Sequence, residues 1–405
     1  MGIRNLKQLL RKHCPHVLQE IHLSEYAYQK VAIDITLFLC KFKAVCGDRW
    51  VFSFINLISC LRRNEIHAVF IFDTSSPIEK SAEKEERRKK QRDIEEKVVD
   101  LEYSLDNYYK TGEIDKILID LHEKIKKDDK NPPKRLLSKS TTQKIDMIAV
   151  ENKIKKMNNY ILNICAEDFE LARELFTILN VPFYNAPLEA EVACADLCKR
   201  GIVNAVLTED TDVLACGADI FLSNINTQTD TCTRIKYSEV LSSLKLTDKQ
   251  FLDLCIMCGC DFNKNIPKVG HETAYKLILK HGSIEEISEK TKYDISILNH
   301  IRTREIFTEY DKLDIKSIPF CAEPNFESLK SFILKHNINI DFEKLKRNYI
   351  SDITVIFESE EPEVKNDIEP KEIKNDIEHE KINNDIEPKE IKNDIEFEFE
   401  YEEDL

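Results

Sequence analysis

Val31-Ala32-Ile33-Asp34 and Ala68-Val69-Phe70-Ile71-Phe72-Asp73 decide the fold. Each is an unbroken apolar run, rich in β-branched or aromatic side chains, that ends on a carboxylate. A strand needs such a run when both faces of its sheet are covered, as in parallel sheets with helices on either side. Val203-Asn204-Ala205-Val206-Leu207-Thr208 is a third run and leads into Glu209-Asp210. Between the first two lie helix-compatible apolar stretches, one to about Cys46 and one from Trp50 to Arg63. This alternation predicts an α/β fold with a central, mostly parallel sheet and helices on both faces. Ligands of such sheets bind beyond the carboxyl ends of the strands, where Asp34, Asp73 and Asp210 fall. One Asp at a strand end means little, because Asp is a common turn residue. Three on one sheet imply convergence.

Four more carboxylates extend the set. Asp212 lies two residues after Asp210, and on an extended segment such residues share a face. Glu189 and Glu191 follow Pro187, a good first-turn residue for a helix. Two apart on a regular helix, they share a site only where the helix end meets the sheet edge. Asp261 ends the helical stretch Cys255–Cys260, just before Asn263-Lys264-Asn265. Taken singly, each acid reads as a surface group or a cap. Together, seven clustered carboxylates repel unless cations lie among them. Hard divalent ions take oxygen ligands, and Mg²⁺ keeps waters and binds phosphate too. Two such ions about 3.5–4 Å apart stabilise the attacking and leaving oxygens of phosphodiester hydrolysis.

Residues 78–163 are charged and Lys-rich, broken by Asn131-Pro132-Pro133. They read as an insertion without order, a long solvated helix, or helices arching over a substrate; charge runs are usually solvated faces. After Leu246 the pattern is helical, with Thr247 a candidate N-cap. In the tail, Asn-Asp-Ile-Glu recurs from Asn366, Asn375, Asn384 and Asn393. So acidic and polar a repeat is expected to be disordered. Residues 358–405 hold 20 acidic and 6 basic side chains, so most of the net charge of −15 sits there and the body is near neutral. A near-neutral body still binds nucleic acid if its charges are segregated. No run of about 18 apolar residues predicts a membrane span. Met1-Gly2-Ile3-Arg4 lacks a secretion signal, and Leu6 fails the myristoylation pattern. Thirteen cysteines without a leader point to free thiols in a reducing compartment. Cys255, Cys258 and Cys260 have no second cluster at zinc spacing and read as buried small hydrophobes.

At these residues the chain resembles the flap endonuclease branch of the structure-specific 5′ nuclease superfamily. The resemblance covers residues 1 to about 345 and is weakest between 90 and 160. It rests on Met1-Gly2-Ile3, on the two strands ending at Asp34 and Asp73, and on A-P-L-E-A-E-V-A-C from Ala186 to Cys194. T-E-D-T-D-V-L from Thr208 to Leu214 and L-C-I-M-C-G-C-D-F from Leu254 to Phe262 complete it, in the family's order. It implies a PIN-like nuclease fold with a helical arch insertion and a C-terminal helix-two-turn-helix DNA-binding element. The implied regions are a nuclease part with the start of the arch (1–110), a partly disordered arch insertion (111–163), an internal nuclease part (164–262), a helical DNA-binding part (263–350) and the disordered tail (351–405).

The resemblance also assigns roles. Asp34, Asp73, Glu189 and Glu191 resemble ligands of one Mg²⁺, with Glu191 between the sites; Asp210, Asp212 and Asp261 resemble ligands of a second. Lys80 matches the family's active-site lysine and Arg87 the arginine that follows, with Arg88 as a register alternative. Residues 78–163 resemble the arch that threads a single 5′ strand. Ile266-Pro267-Lys268-Val269-Gly270-His271 resembles the hairpin that holds a duplex phosphate and a K⁺ ion. Gly2, Arg88, Lys264, Lys268, Gly270 and His271 are the expected DNA contacts, extended by Lys276 and Lys280. The chain departs from the family at four places. Lys268 replaces the first hairpin glycine, and Thr74 follows Asp73 where relatives have glycine. Cys40 stands in place of a stacking tyrosine, a role that passes to Phe38 or Phe42. The insertion is also longer. No Gln follows Gln250, so no conventional sliding-clamp peptide is expected.

The implied activity is Mg²⁺-dependent cleavage of 5′ flaps at single-strand/double-strand junctions in DNA replication and repair. A monomer is expected, intracellular, without a membrane partner, in the nucleus or at a site of viral DNA replication. The alternatives are a 5′→3′ exonuclease or junction resolvase of the same superfamily, a small α/β RNase, and a catalytically inactive DNA-binding scaffold.

Overall fold

Seven strands form a single mixed sheet in the computed structural model of the chain. They are β1 (Gln19–His22), β2 (Lys30–Asp34), β3 (His67–Phe72), β4 (Phe183–Asn185), β5 (Ala205–Leu207), β6 (Ile220–Asn226) and β7 (Thr231–Lys236), in the order β1-β7-β6-β5-β2-β3-β4. From β6 to β4 all neighbours are parallel. β7 runs antiparallel to β6, and β1 antiparallel to β7. The structure describes residues 2–128, 145–161 and 164–349, all within the compact unit Met1–Ile350. The repeat tail and the Asn131-Pro132-Pro133 break lie outside the described residues.

The unbroken apolar runs are explained by two cores, one on each face. Ala32, Val69, Ile71, Val206 and Phe221 point into the first. It is covered by the helices Leu6–His13, Ala190–Lys199, Tyr237–Leu244, Asp248–Cys258 and His271–His281. Val31, Ile33, Phe70, Phe72, Leu207 and Leu222 point into the second. There the helices Ile35–Cys46, Trp50–Arg63, Ala166–Ile178 and Phe326–Lys335 pack. The stretch Ile35–Arg63 is long and apolar enough to cross a membrane. A 3₁₀ turn at Gly47–Arg49 nevertheless splits it, and both halves pack into the second core.

From β2 the chain builds outward through β3 and β4, then returns to β2's other side for β5 and β6. The strand order therefore reverses at β2, and the carboxyl ends of β2 and β5 flank the crevice where α/β sheets bind ligands. Thr247 caps Asp248–Cys258 as expected. Its Oγ1 accepts the Gln250 N–H at 3.4 Å, and Gln250 Oε1 accepts the Thr247 N–H at 3.0 Å.

The insertion has a core of its own. Helix Ser81–Thr111 leaves the body, Lys116–Asp128 folds back on it, and Met147–Tyr160 returns. Val98, Leu101, Leu118, Leu121, Val150, Ile154 and Met157 are buried between them. The described part of residues 111–163 is thus mostly helix, and residues 129–144 lie outside the described residues. Leu101→Ala is expected to cost about 2–5 kcal/mol, as buried leucine truncations do. The loss should stay local. Amide exchange should accelerate in these three helices while β2 and β3 keep their protection. Equal acceleration throughout would show that the arch core is not separable.

Candidate active site

The three strand-end aspartates share one device, a backbone N–H held by one carboxylate oxygen. Asp34 Oδ1 accepts the N–H groups of Thr36 at 2.8 Å and Leu37 at 3.4 Å, capping helix Ile35–Cys46. Asp73 Oδ1 accepts the N–H of Ala190 at 2.6 Å, at the start of helix Ala190–Lys199. Asp210 Oδ1 accepts the N–H of Asp212 at 2.9 Å. In each, one carboxylate oxygen is fixed by an N–H that needs an acceptor and favours negative charge. The second oxygen is left for another partner.

Local geometry differs from the sequence reading at three points. Glu189 is not inside a helix after Pro187. It is the extended N-cap residue of Ala190–Lys199, so the opposed directions of a regular helix do not apply to it and Glu191. Asp212 does not follow Asp210 on a strand. It opens the short helix Asp212–Ala215, and the turn between them brings the two carboxylates together. Asp261 lies beyond helix Asp248–Cys258 rather than at its last turn.

The acids converge. Glu191, Asp210 and Asp212 each place a carboxylate oxygen within 4.8 Å of the others. Asp34, Glu189, Glu191, Asp210 and Asp212 are buried. Both oxygens of Asp212 and Oε2 of Glu189 are buried without a hydrogen-bond partner. Such groups are costly unless something compensates them. An all-oxygen donor set with orphaned lone pairs fits a hard divalent cation. Burial, then Asp73 and Glu191, pushes the Asp34 carboxyl well above its ordinary value. Burial, then Asp210 and Asp261, does the same to Asp212. Asp210 is raised by burial and by Glu191. Glu189 is pushed up to about 7 by burial and by Glu191.

Two cations from the arch meet this cluster. Lys80 Nζ lies 2.7 Å from Glu189 Oε1, 3.3 Å from Glu191 Oε1 and 3.5 Å from Asp261 Oδ2. Burial alone would lower the Lys80 ammonium, but Glu191, Glu189 and Asp261 outweigh it and the net direction is up. Arg87 Nη2 reaches Asp261 Oδ2 at 2.9 Å, so the spacing of seven does bring both cations to one carboxylate. Arg88, the register alternative, is 70% exposed and faces Glu85.

The other expected residues lie as follows. Gly2 has φ 83°, and a Cβ on it would sit 2.1 Å from Asp210 Oδ1; only glycine fits there. The hairpin residue with a left-handed backbone is Lys268, at φ 66°. It holds a conformation that costs a non-glycine residue about 1–2 kcal/mol. Gly270 has an ordinary extended backbone and N-caps helix His271–His281. Lys264, Lys268, Lys276 and Lys280 are exposed. His271 lies 3.9 Å from Glu272. Phe38 is 1% exposed and cannot take over stacking, and Phe42 packs edge-on against Phe54. Cys255, Cys258 and Cys260 are buried free thiols, with Cys258 pushed up to about 12 by burial.

Thr74 was a bare departure in the sequence; here it works as a clamp. Its Oγ1 lies 2.9 Å from both Ala186 O and Pro187 O, and its N–H donates to Leu188 O at 3.0 Å. The strand that delivers Asp73 is thereby tied to the segment that delivers Glu189.

The chain matches known proteins along most of its length. Residues 1–94 match the XPG N-terminal domain and residues 180–261 the XPG I-region. A probable RAD2-like endonuclease of Invertebrate iridescent virus 6 is 30% identical over 386 residues, spanning 86% of this chain and 92% of the relative. Flap endonuclease 1 of Ostreococcus lucimarinus is 28% identical over 357 residues, spanning 83% of this chain and 80% of the relative. The catalytic core of Rad2, solved in complex with a DNA substrate, superposes with a TM-score of 0.59 at 15% identity, covering 86% of this chain and 98% of that one. The flap endonuclease of Methanococcus jannaschii superposes at 0.52 and 19% identity, covering 82% and 94%; at these identities the likeness concerns the fold. The chain belongs to the XPG family of structure-specific nucleases, which hydrolyse phosphodiester bonds.

The raised carboxyl groups give stability a pH dependence. The folded value of Glu189, about 7, lies above its ordinary 4.5. Its contribution is therefore complete below about 4.5 and is lost as pH rises through about 7. Asp34, Asp210 and Asp212 act in the same direction. With divalent ions chelated, thermal melts should show Tm falling as pH rises across this window, and Mg²⁺ should restore it above the window. A chelated protein whose Tm ignores both pH and Mg²⁺ would contradict the convergence of these acids.

Proposed function

We propose that this nuclease is a Mg²⁺-dependent endonuclease that cuts 5′ flaps at single-strand/double-strand DNA junctions during replication and repair. The observation that carries this reading is the meeting of Lys80 and Arg87, from the foot of the arch, with the acids at the sheet edge. Asp34, Asp73, Glu189 and Glu191 would hold one ion, and Asp210, Asp212 and Asp261 the other. When bound, the ions supply Lewis-acid stabilisation of the charge that develops on the phosphate.

The chain's own residues do the rest. Lys80 and Arg87, paired with acids in the absence of substrate, exchange those partners for the oxygens of the scissile phosphate. The backbone bonds to Asp34, Asp73 and Asp210 hold the carboxylates in place as charge shifts. Helix Ser81–Thr111 begins at Lys80, so a single strand passing under the arch enters the acid cluster directly. Residues 263–350 bind the duplex through the hairpin Ile266–His271, with Gly2, Lys264, Lys268, Gly270 and His271 near the DNA. The left-handed backbone at Lys268 supports a glycine-like hairpin and, with it, a K⁺ ion there. The protein acts as a monomer inside the cell, without a conventional clamp peptide. Relatives from iridescent viruses support a place at viral or nuclear sites of DNA replication.

The test is cleavage of a labelled 5′-flap duplex in Mg²⁺. Asp210→Asn should abolish cutting and keep most of the binding. Lys80→Ala and Arg87→Ala should each lower kcat by about 10²–10³, the scale for losing one donor to transition-state charge. Product lengths on flap, nicked and four-way substrates separate this activity from an exonuclease or a junction resolvase. Preferential cutting of the four-way junction would overturn the flap reading. Binding without any cutting would mark an inactive scaffold.

A further inference from the structure

Glu209, one residue before Asp210, is held by two lysines. Lys41 Nζ lies 3.2 Å from its Oε1 and Lys7 Nζ 3.2 Å from its Oε2, while the Asn224 N–H donates to Oε1 at 2.9 Å. Burial pushes the Glu209 carboxyl up, but Lys41, Lys7 and that backbone bond pull it below its ordinary value. One ammonium suffices to neutralise one carboxylate, so the pair carries an excess positive charge. Both lysines also stay open to solvent, with 26% of the Lys7 side chain and 19% of Lys41 exposed.

Their place along the sheet edge is specific. Asn224 lies in β6, Glu209 follows β5, Asp34 ends β2, Asp73 follows β3 and Glu189 follows β4. The strand order therefore sets Lys80, paired with Glu189 after β4, toward the β3–β4 end of the acid cluster, and Lys7 and Lys41, paired with Glu209 after β5, toward the β5–β6 end. Lys41 sits two helical turns beyond Asp34 on the helix that Asp34 caps. At about 4.8 Å per strand, β5 is roughly 10 Å from β3. Along the axis of a duplex that distance is about three nucleotides, at roughly 3.4 Å of axial rise each. A DNA strand laid across the acids would otherwise meet net negative charge at this end.

We propose that Lys7 and Lys41 form a second phosphate-binding site, which holds a backbone phosphate of the cleaved strand about two to three nucleotides from the cut. The lysine pair rests on the nuclease reading above and adds a contact that the carboxylate motifs do not contain. Glu209 is the built-in stand-in for that phosphate: it orders both ammonium groups before DNA arrives, and each keeps donors to spare.

The experiment replaces single phosphates of the flap strand by neutral methylphosphonates and follows cleavage in Mg²⁺. With the wild-type chain, one position two to three nucleotides from the cut should lower kcat/KM by about tenfold, the factor for roughly 1.4 kcal/mol. In Lys7→Gln/Lys41→Gln the unmodified strand should be cut about tenfold more slowly, and the methylphosphonate should add no further loss. Lys7→Arg/Lys41→Arg should restore the sensitivity. A purely structural lysine pair would instead lower Tm and leave the methylphosphonate effect intact, which overturns the proposal. So would a wild-type chain indifferent to neutralisation at every position flanking the cut, a result that needs no variant to fold. If the wild-type chain cuts no unmodified flap, the nuclease reading itself fails, and the lysine site with it.

Discussion

Everything at this site follows from forcing like charges together at one edge of a sheet. Asp34, Glu189, Glu191, Asp210 and Asp212 are all withdrawn from water, where mutual repulsion is least screened. Two kinds of group hold them there. Backbone N–H groups at Thr36, Ala190 and Asp212 each take one oxygen of a strand-end aspartate. Lys80 sits among three further carboxylates. The orphaned oxygens of Asp212 and Glu189 remain the unmet part of that balance, and their demand is what a divalent ion answers.

The same repulsion couples the arch to the body. Lys80 and Arg87 belong to the foot of the insertion, yet their partners come from the loops after β4 and after helix Asp248–Cys258. On the far side, Lys7 and Lys41 draw the N-terminal helix and the helix after β2 onto Glu209. Six segments distant in sequence are thereby registered in two groups by charge rather than by apolar packing alone.

Much of this was legible in the sequence, for a physical reason. Strands buried on both faces must be apolar throughout, so β2, β3 and β5 announced themselves and their terminal acids. The antiparallel edge was not legible, because Gln19–His22 and Thr231–Lys236 are short and half polar. The backbone at Glu189 and Asp212 was misread because it is set by remote or turn-level bonds. Asp73 caps Ala190 from 117 residues away, and no local propensity records that. The helical arch was expected, but its own apolar core was not legible because its few apolar residues, such as Val98 and Leu101, are scattered among charges. The Lys7–Glu209–Lys41 contact spans 202 and 168 residues and leaves no local trace.

The private core of the arch bears on what these helices can contribute to binding. Segments that fold only when a ligand arrives lose about 1–2 kcal/mol per residue to backbone ordering, and their affinity drops accordingly. The three described arch helices have met that cost within the free protein, through Leu101, Leu118, Val150 and their neighbours. Any ligand that meets these helices meets them already folded, so its affinity is not reduced by the cost of ordering them. Selection at these helices would then rest on whether a ligand fits a shape already made, which makes it a matter of access more than of induced order.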